Sequence, residues 1–476
     1  MRFVDKDLLS MQEARVLMEA AKNAQNNLKG YTQERLDRIV SAMLDVLDNY
    51  AEQLVEQEIS ETGCGNFRDN LRLVQLFFNK IKPDLEQPLV GPLSTNKDGK
   101  VTVMGIPVGG VVGFLPAMNV VLNTIYMILL AIKSGNSLLL IPDACATETT
   151  KTIAQLLSEA GVRHGLPKET ILCMENVERA GIAEVLQYNQ LGIVLSVGNS
   201  DCLKEYYSAK PIIYAGVTPS PSFIERTAHI SQTVTTIVKS RQWNNGTLPG
   251  AEQYIVAEQV IVAQIIEALQ HEKAYVMNVE EEHKLMDYIC PVDKACSHEY
   301  IGKNAYELAK RSGFSVPQDT SVLVCKQAYI NDEYAYAKPL YCPLLVLYEE
   351  PNWLKSCEKC IELIQNGSQS HTLSIHSNDT FIIGEFIDKK PVGRVIVNNS
   401  TSFASMGLTS ELTPSVFLGG LTTGRGFVSD NITAKYLTYE RKVGYGTFEK
   451  MLGNPDSREQ ENDIDKILSI VNQLKL

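Results

Sequence analysis

Gly110-Val-Val-Gly-Phe-Leu-Pro-Ala-Met-Asn-Val-Val-Leu-Asn-Thr-Ile-Tyr-Met-Ile-Leu-Leu-Ala-Ile-Lys-Ser-Gly-Asn-Ser-Leu-Leu-Leu-Ile-Pro142 decides the fold. Val111–Leu115 is a short apolar run between glycine and proline, the pattern of a buried strand. Val121–Lys133 is too long for a strand and reads as a helix. Ser137–Ile141 is a second buried strand. Downstream the rhythm continues: a helix over Ala146–Ala160, a strand at Ile171–Met174, a helix over Ala180–Tyr188, a strand at Gly192–Ser196 and a helix over Cys202–Tyr207. Alternating strands and helices predict an α/β fold, a parallel doubly wound sheet with helices on both faces. Such sheets bind ligands at the carboxyl ends of their strands.

Upstream, residues 8–86 read as helices. Leu36, Ile39, Met43, Val46 and Leu47 recur at helical spacing, and Thr32 is placed to cap that helix. Val101–Val103 reads as a strand opening the alternation. Further along, Gln253–Val256, Leu340–Tyr348 and Arg394–Asn398 read as strands and Glu258–His271 as a helix, so a second α/β unit follows the first. The expected divisions are 1–230, 231–425, a returning segment 426–450, and 451–476. The last opens with the polar run Gly453–Asn462 and ends in Ile464, Ile467, Leu468, Val471 and Leu474, one apolar stripe on a short helix.

The chain has 476 residues, 44% hydrophobic and 21% charged, with a formal net charge of −12. No Lys/Arg cluster offers itself to nucleic acid. No apolar run reaches the length of a membrane span, and Met1–Leu9 lacks the apolar core of a signal peptide. A soluble cytoplasmic protein is expected. Ten scattered cysteines suggest reduced thiols. Cys357 and Cys360 form a lone CxxC without the second pair a zinc site requires, so no metal is expected. A GxGxxG fingerprint after a strand and a Walker A motif are both missing. The loop from Gly419 to Gly426 suits either an anion cradle of backbone amides or a plain turn.

Four segments resemble the aldehyde dehydrogenase superfamily, nearest its CoA-acylating branch. Gly105–Asn119 is similar to the segment ending in Pro-x-x-Asn. The resemblance puts Asn119 where an asparagine amide donates to the oxyanion, and Pro116 beside the cofactor. Lys133-Ser-Gly-Asn136 through Pro142 resembles the strand entering the cofactor cleft, with Asp143-Ala144 in place of the usual His-Pro. Ser196-Val-Gly198-Asn199 resembles a Thr-Gly-Gly turn, and Tyr214-Ala-Gly216-Val-Thr-Pro219-Ser-Pro221 stands where a Gly-rich loop is usual. Trp243-Asn-Asn-Gly246-Thr-Leu-Pro249-Gly-Ala-Glu-Gln253 resembles the acylating signature Phe-Asp-Asn-Gly-x-x-Cys-Ala-Ser-Glu-Gln. Weaker matches include Ser370-His371-Thr372 and Thr413–Gly420.

The resemblance implies two doubly wound α/β domains with an oligomerisation arm, hence a dimer or tetramer. It implies NAD or NADP and CoA as cofactors, with Gly198, Gly216, Gly246 and Gly419 as further cofactor-side positions. At the nucleophile position stands Pro249, which has no nucleophilic atom and no backbone N–H to donate to an oxyanion. The expected function is therefore a catalytically degenerate relative with a nucleotide-binding, regulatory or assembly role. The alternative is an active oxidoreductase converting aldehyde, CoA and NAD to acyl-CoA and NADH. The tail over 455–476 resembles an encapsulation peptide, so a bacterial microcompartment shell and an active paralogue are the partners considered.

Overall fold

Three helices open the chain: Lys6–Leu28, Gln33–Thr62 and Phe67–Leu85. Each begins at a side-chain cap, Asp5 accepting from the Leu8 amide, Thr32 from Arg35 and Asn66 from Asp69. The structure, a computed structural model, describes residues 5–198, 203, 211–291, 297–330, 335–367, 370–423 and 426–446. The expected helix at Cys202–Tyr207 and the tail at 455–476 fall almost wholly outside these residues.

The first α/β unit is a six-stranded sheet in the order Leu418–Gly419, Ile212–Gly216, Leu191–Val197, Gly110–Phe114, Leu138–Ile141, Ile171–Cys173. All neighbours run parallel except Leu418–Gly419. Helix Val120–Lys133 is buried along its whole length, because it lies between this sheet and the N-terminal helices. Its last residue, Lys133, is fully buried and meets Asp37 at 2.6 Å, which supplies the partner a buried ammonium needs.

The second unit is an all-parallel seven-stranded sheet: Tyr275–Val276, Leu323–Gln327, Leu344–Glu350, Glu252–Glu258, Ser220–Ile224, Thr372–His376, Arg394–Val397. Successive residues point to opposite faces. Tyr254 and Val256 enter one core with Leu344, Val346 and Ile375, whereas Ile255 and Ala257 enter another with Leu345 and Leu347. Both faces are covered, which is why Tyr254–Ala257 and Leu344–Leu347 are apolar runs.

Three expectations need correction. Strand Ser220–Ile224 already belongs to the second sheet, so the chain changes sheets ahead of the expected boundary at 230. Only Val217-Thr-Pro219 separates it from Ile212–Gly216, too few residues for a crossover helix within one sheet. Conversely, Leu418–Gly419 lies before residue 425 yet pairs with the first sheet. Val101–Pro107 does not open the parallel alternation: it is the centre of a three-stranded antiparallel sheet between Gly91–Thr95 and Thr438–Gly444.

Candidate functional site

The carboxyl ends of the six-stranded sheet bring together Pro116, Asn119, Pro142, Gly198 and Gly216, each at or just beyond the last residue of its strand. Asn119 sits in the left-handed region at φ 50°, immediately before helix Val120–Lys133. Its side chain does not cap that helix. Instead Nδ2 donates to the Thr247 carbonyl at 2.9 Å. Thr247 belongs to the turn that follows helix Ile230–Gln242, and there Asn244 and Asn245 also adopt positive φ, 46° and 54°.

Asn244 Nδ2 donates to Asn119 Oδ1 at 2.8 Å, and Asn244 Oδ1 accepts the Asn66 amide at 2.7 Å. Both ends of this chain fix its direction. A carbonyl only accepts and a backbone N–H only donates, so neither amide can be flipped. Asn245 donates to the carbonyls of Gly65 and Gly302, and Thr247 Oγ1 to the Asn244 carbonyl. Asn119, Asn244 and Thr247 are all buried. The N-terminal helices, the first sheet and the turn at 243–247 are thus tied by neutral side-chain hydrogen bonds, with one carboxylate contact beside them, Asp69 Oδ2 accepting the Asn244 backbone amide at 3.1 Å.

Two helix N-termini open onto the same edge, places where backbone N–H groups ordinarily attract anions. Both are occupied by carboxylates from helix Gln33–Thr62. Glu58 Oε2 accepts the Val121 amide at 2.9 Å, and Glu61 accepts the amides of Glu148 and Thr149, each at 2.8 Å. Glu58 is 1% exposed, and burial raises its carboxyl pKa to about 7, against the pull of the helix amides.

The second unit contributes His371 and Arg394. His371 Nδ1 lies 3.1 Å from Arg394 Nη2 and 2.8 Å from Thr372 Oγ1. A guanidinium only donates, so Nδ1 is the acceptor and the ring proton is on Nε2. Burial, and then Arg394, push the imidazole pKa well down, and the ring is neutral. It packs on Gly216, where a Cβ would come within 2.1 Å of His371 Cδ2; only glycine fits. Gly250, next to Pro249, also borders the ring, with His371 Cε1 at 3.7 Å from an ideal Cβ. Pro249 is itself buried.

Residues 7–320 match the profile of the aldehyde dehydrogenase family. The chain belongs to the aldehyde dehydrogenase family. An acetylating aldehyde dehydrogenase from Geobacillus thermoglucosidasius is 29% identical with a TM-score of 0.89, covering 94% of this chain and 99% of that one. A Rhodopseudomonas palustris propionaldehyde dehydrogenase, solved with bound CoA and an acylated cysteine, shares the fold at TM-score 0.80 and 20% identity, over 91% of this chain and 97% of that one. The bifunctional aldehyde-alcohol dehydrogenase AdhE of Escherichia coli is 24% identical over 91% of this chain and 49% of its own length, so the chain spans about half of such curated relatives. These likenesses place the chain with the CoA-acylating branch of the family.

Within that family frame, two glycines prove to serve packing. Gly419 donates its amide to the Asp430 carbonyl and accepts from Arg394 Nη2 at 3.0 Å; a Cβ there would meet the Val428 carbonyl at 2.4 Å. The next amides, of Gly420 and Leu421, go to Tyr214 and Val428. The first three amides of this loop are therefore already spent on the protein's own carbonyls. Gly246 lies against the Cys342 carbonyl, 2.5 Å from an ideal Cβ. Gly198 is less tightly enclosed, but a Cβ there would still press on Val217 at 3.3 Å, with Pro116 at 3.7 Å.

Nor do the described thiols gather at Asn119. Burial pushes Cys342, Cys173 and Cys360 up to about 12 and raises Cys64 and Cys145, which keeps them protonated. Cys290 is disulfide-bonded, contrary to the expectation of reduced thiols throughout. Asn199 and Cys202 lie outside the described residues. Among the described residues no His/Cys/Asp/Glu cluster suits a metal, and no helix is long and apolar enough to cross a membrane.

Sequence reasoning missed Asn244, Glu58 and Glu61. For Asn244 the signal was present: asparagine replaces the aspartate of the acylating signature, and only an amide can donate to Asn119 Oδ1. Glu58 and Glu61 carry no local signal, because their partners lie 63 and 87 residues away.

Proposed function

We propose that this chain is a catalytically degenerate relative of the NAD-dependent CoA-acylating aldehyde dehydrogenases, retaining the scaffold for a nucleotide-binding, regulatory or assembly role. The observation that carries the reading is the bond from Asn119 Nδ2 to the Thr247 carbonyl. The amide assigned to oxyanion binding is spent on the protein's own backbone. The resemblance aligns Pro249 with the missing nucleophile two residues further on. A thiolate must attack the aldehyde carbon, and proline has none; its absent N–H removes a second oxyanion donor, a loss of about 10²–10³ in rate on its own.

The described cofactor edge supports the same reading. A dinucleotide brings a diphosphate, and the helix ends at Val120 and Thr147 already hold Glu58 and Glu61. These two ends do not fit an anion. The three-stranded sheet, with Tyr439 and Val101 exposed, is the arm through which we propose the chain forms a dimer or tetramer.

The test is NADH formation by purified full-length protein given short-chain aldehydes, CoA and NAD, beside calorimetric titration with NAD, NADP and CoA. No NADH formation is expected. Turnover abolished by a thiol reagent would establish the alternative, an active oxidoreductase using a relocated cysteine.

A further inference from the structure

Away from this site, a small cluster of reactive side chains is buried in the second α/β unit. Cys357 and Cys360 share one face of helix Trp353–Glu362, and Lys390 directly follows helix Thr380–Lys389. Lys390 is 7% exposed, Cys357 4% and Cys360 0%. Lys390 Nζ lies 3.0 Å from the Cys357 carbonyl and 2.5 Å from Cys357 Sγ, with the Phe386 ring centroid at 4.0 Å. The adjacent Lys389 is paired with Glu385 at the surface, but among the described residues no carboxylate pairs with Lys390.

A buried ammonium without a counter-charge is costly. Here the polar partners at hand are the Cys357 carbonyl and the Cys357 sulfur. The separation also matters. Hydrogen bonds from nitrogen to oxygen span about 2.7–3.2 Å, and sulfur is the larger atom, so 2.5 Å is closer than a hydrogen bond to sulfur requires. Nitrogen and sulfur joined through a single oxygen lie at such a distance.

We infer that Cys357 and Lys390 are a site of oxidative covalent modification, an Nζ–O–Sγ cross-link formed with peroxide. The chemistry balances over two peroxides. One oxidises the Cys357 thiol to a sulfenic acid: an S–O bond forms, the O–O bond breaks and one water leaves. The other oxidises the Lys390 amine to a hydroxylamine, again releasing one water. The two then condense with loss of a third water. Sulfur and nitrogen each give up two electrons, and the two peroxides take up four. The cross-link would fasten helix Trp353–Glu362 to the segment leading into strand Arg394–Val397, which carries Arg394 to His371.

The experiment is mass spectrometry of the intact, full-length protein and of its proteolytic peptides, after peroxide and again after dithiothreitol. The expected result is a gain of about 14 Da, one oxygen added and two hydrogens lost. Dithiothreitol should reverse it, and one peptide pair should be joined through Cys357 and Lys390. Cys357→Ser and Lys390→Arg should each abolish the joined pair, and Cys360→Ser should keep it. If Lys390→Arg does not fold, Cys357→Ser carries the same test. Oxygen added to Cys357 alone, a Cys357–Cys360 disulfide, or an unchanged mass would each overturn the proposal.

Discussion

The two sides of the candidate site are filled by different physics. Around Asn119 the closure is neutral: three asparagine side chains and a threonine satisfy one another and the backbone. Along the same sheet edge, at the starts of helices Val120–Lys133 and Thr147–Arg163, the closure is titratable, with carboxyl groups set against helix dipoles. Neutral amide networks are indifferent to pH and depend on directional donors and acceptors, so exchanging an amide for an acid disrupts them. Carboxylate caps tolerate imprecise geometry but respond to protonation. One scaffold thus holds the surroundings of Asn119 by directional amides and two neighbouring helix ends by carboxyl groups.

Three variants would break or sharpen this contrast. Asn244→Asp should have the largest effect. It replaces the Nδ2 donor by a carboxylate oxygen facing Asn119 Oδ1 in a buried site, leaving a charge without a partner. A loss of about 3–5 kcal/mol is expected in urea unfolding. A loss below about 1 kcal/mol would mean that Asn119 can turn away from Thr247.

Glu58→Gln should act through pH. The folded-state pKa, about 7, lies above the ordinary value of 4.5. The folded protein therefore binds more protons than the unfolded chain between these values. Stability from this group is fully present below about 4.5 and is lost as pH rises through 7, at up to about 1.4 kcal/mol per pH unit. Glutamine cannot ionise, so the variant should gain on the parent by as much as about 3 kcal/mol between pH 4.5 and 7.5. A constant difference would show that Glu58 is ionised throughout. His371 and His376 work in the opposite sense: burial holds both neutral, His376 down to about 4, so their contribution is lost as pH falls below the ordinary histidine value. The comparison is therefore made between parent and variant at each pH. Glu61→Gln, with one carbonyl left to serve two helix amides, should cost about 1 kcal/mol. Equal losses at low and high salt would mark its cap as one of geometry after all.

Much of the first sheet was legible because its strands are buried on both faces and announce themselves as apolar runs. Val111–Leu115, Ser137–Ile141 and Gly192–Ser196 fall within a residue or two of the observed strands, and Thr32 caps its helix as expected. Ser220-Pro-Ser-Phe-Ile224 was hidden. Its composition is that of a turn, and only pairing with Glu252–Glu258 and Thr372–His376 makes it a strand, with Pro221 beside a register shift. The site divided along the same line. Asn119 and Gly216 were singled out by motifs that run continuously along the chain. What occupies them, Thr247 and His371, comes from more than a hundred residues away, and spacing in a sequence does not record such contacts.

The antiparallel sheet at Val101–Pro107 carries a consequence in time. One neighbour, Gly91–Thr95, is a short turn away, but the other, Thr438–Gly444, is separated from it by more than three hundred residues. During synthesis Val101–Pro107 must wait with a bare row of N–H and C=O groups until almost the whole polypeptide has left the ribosome. Nascent chains will meet one another, and any chaperone, along that edge before they meet their own last strand.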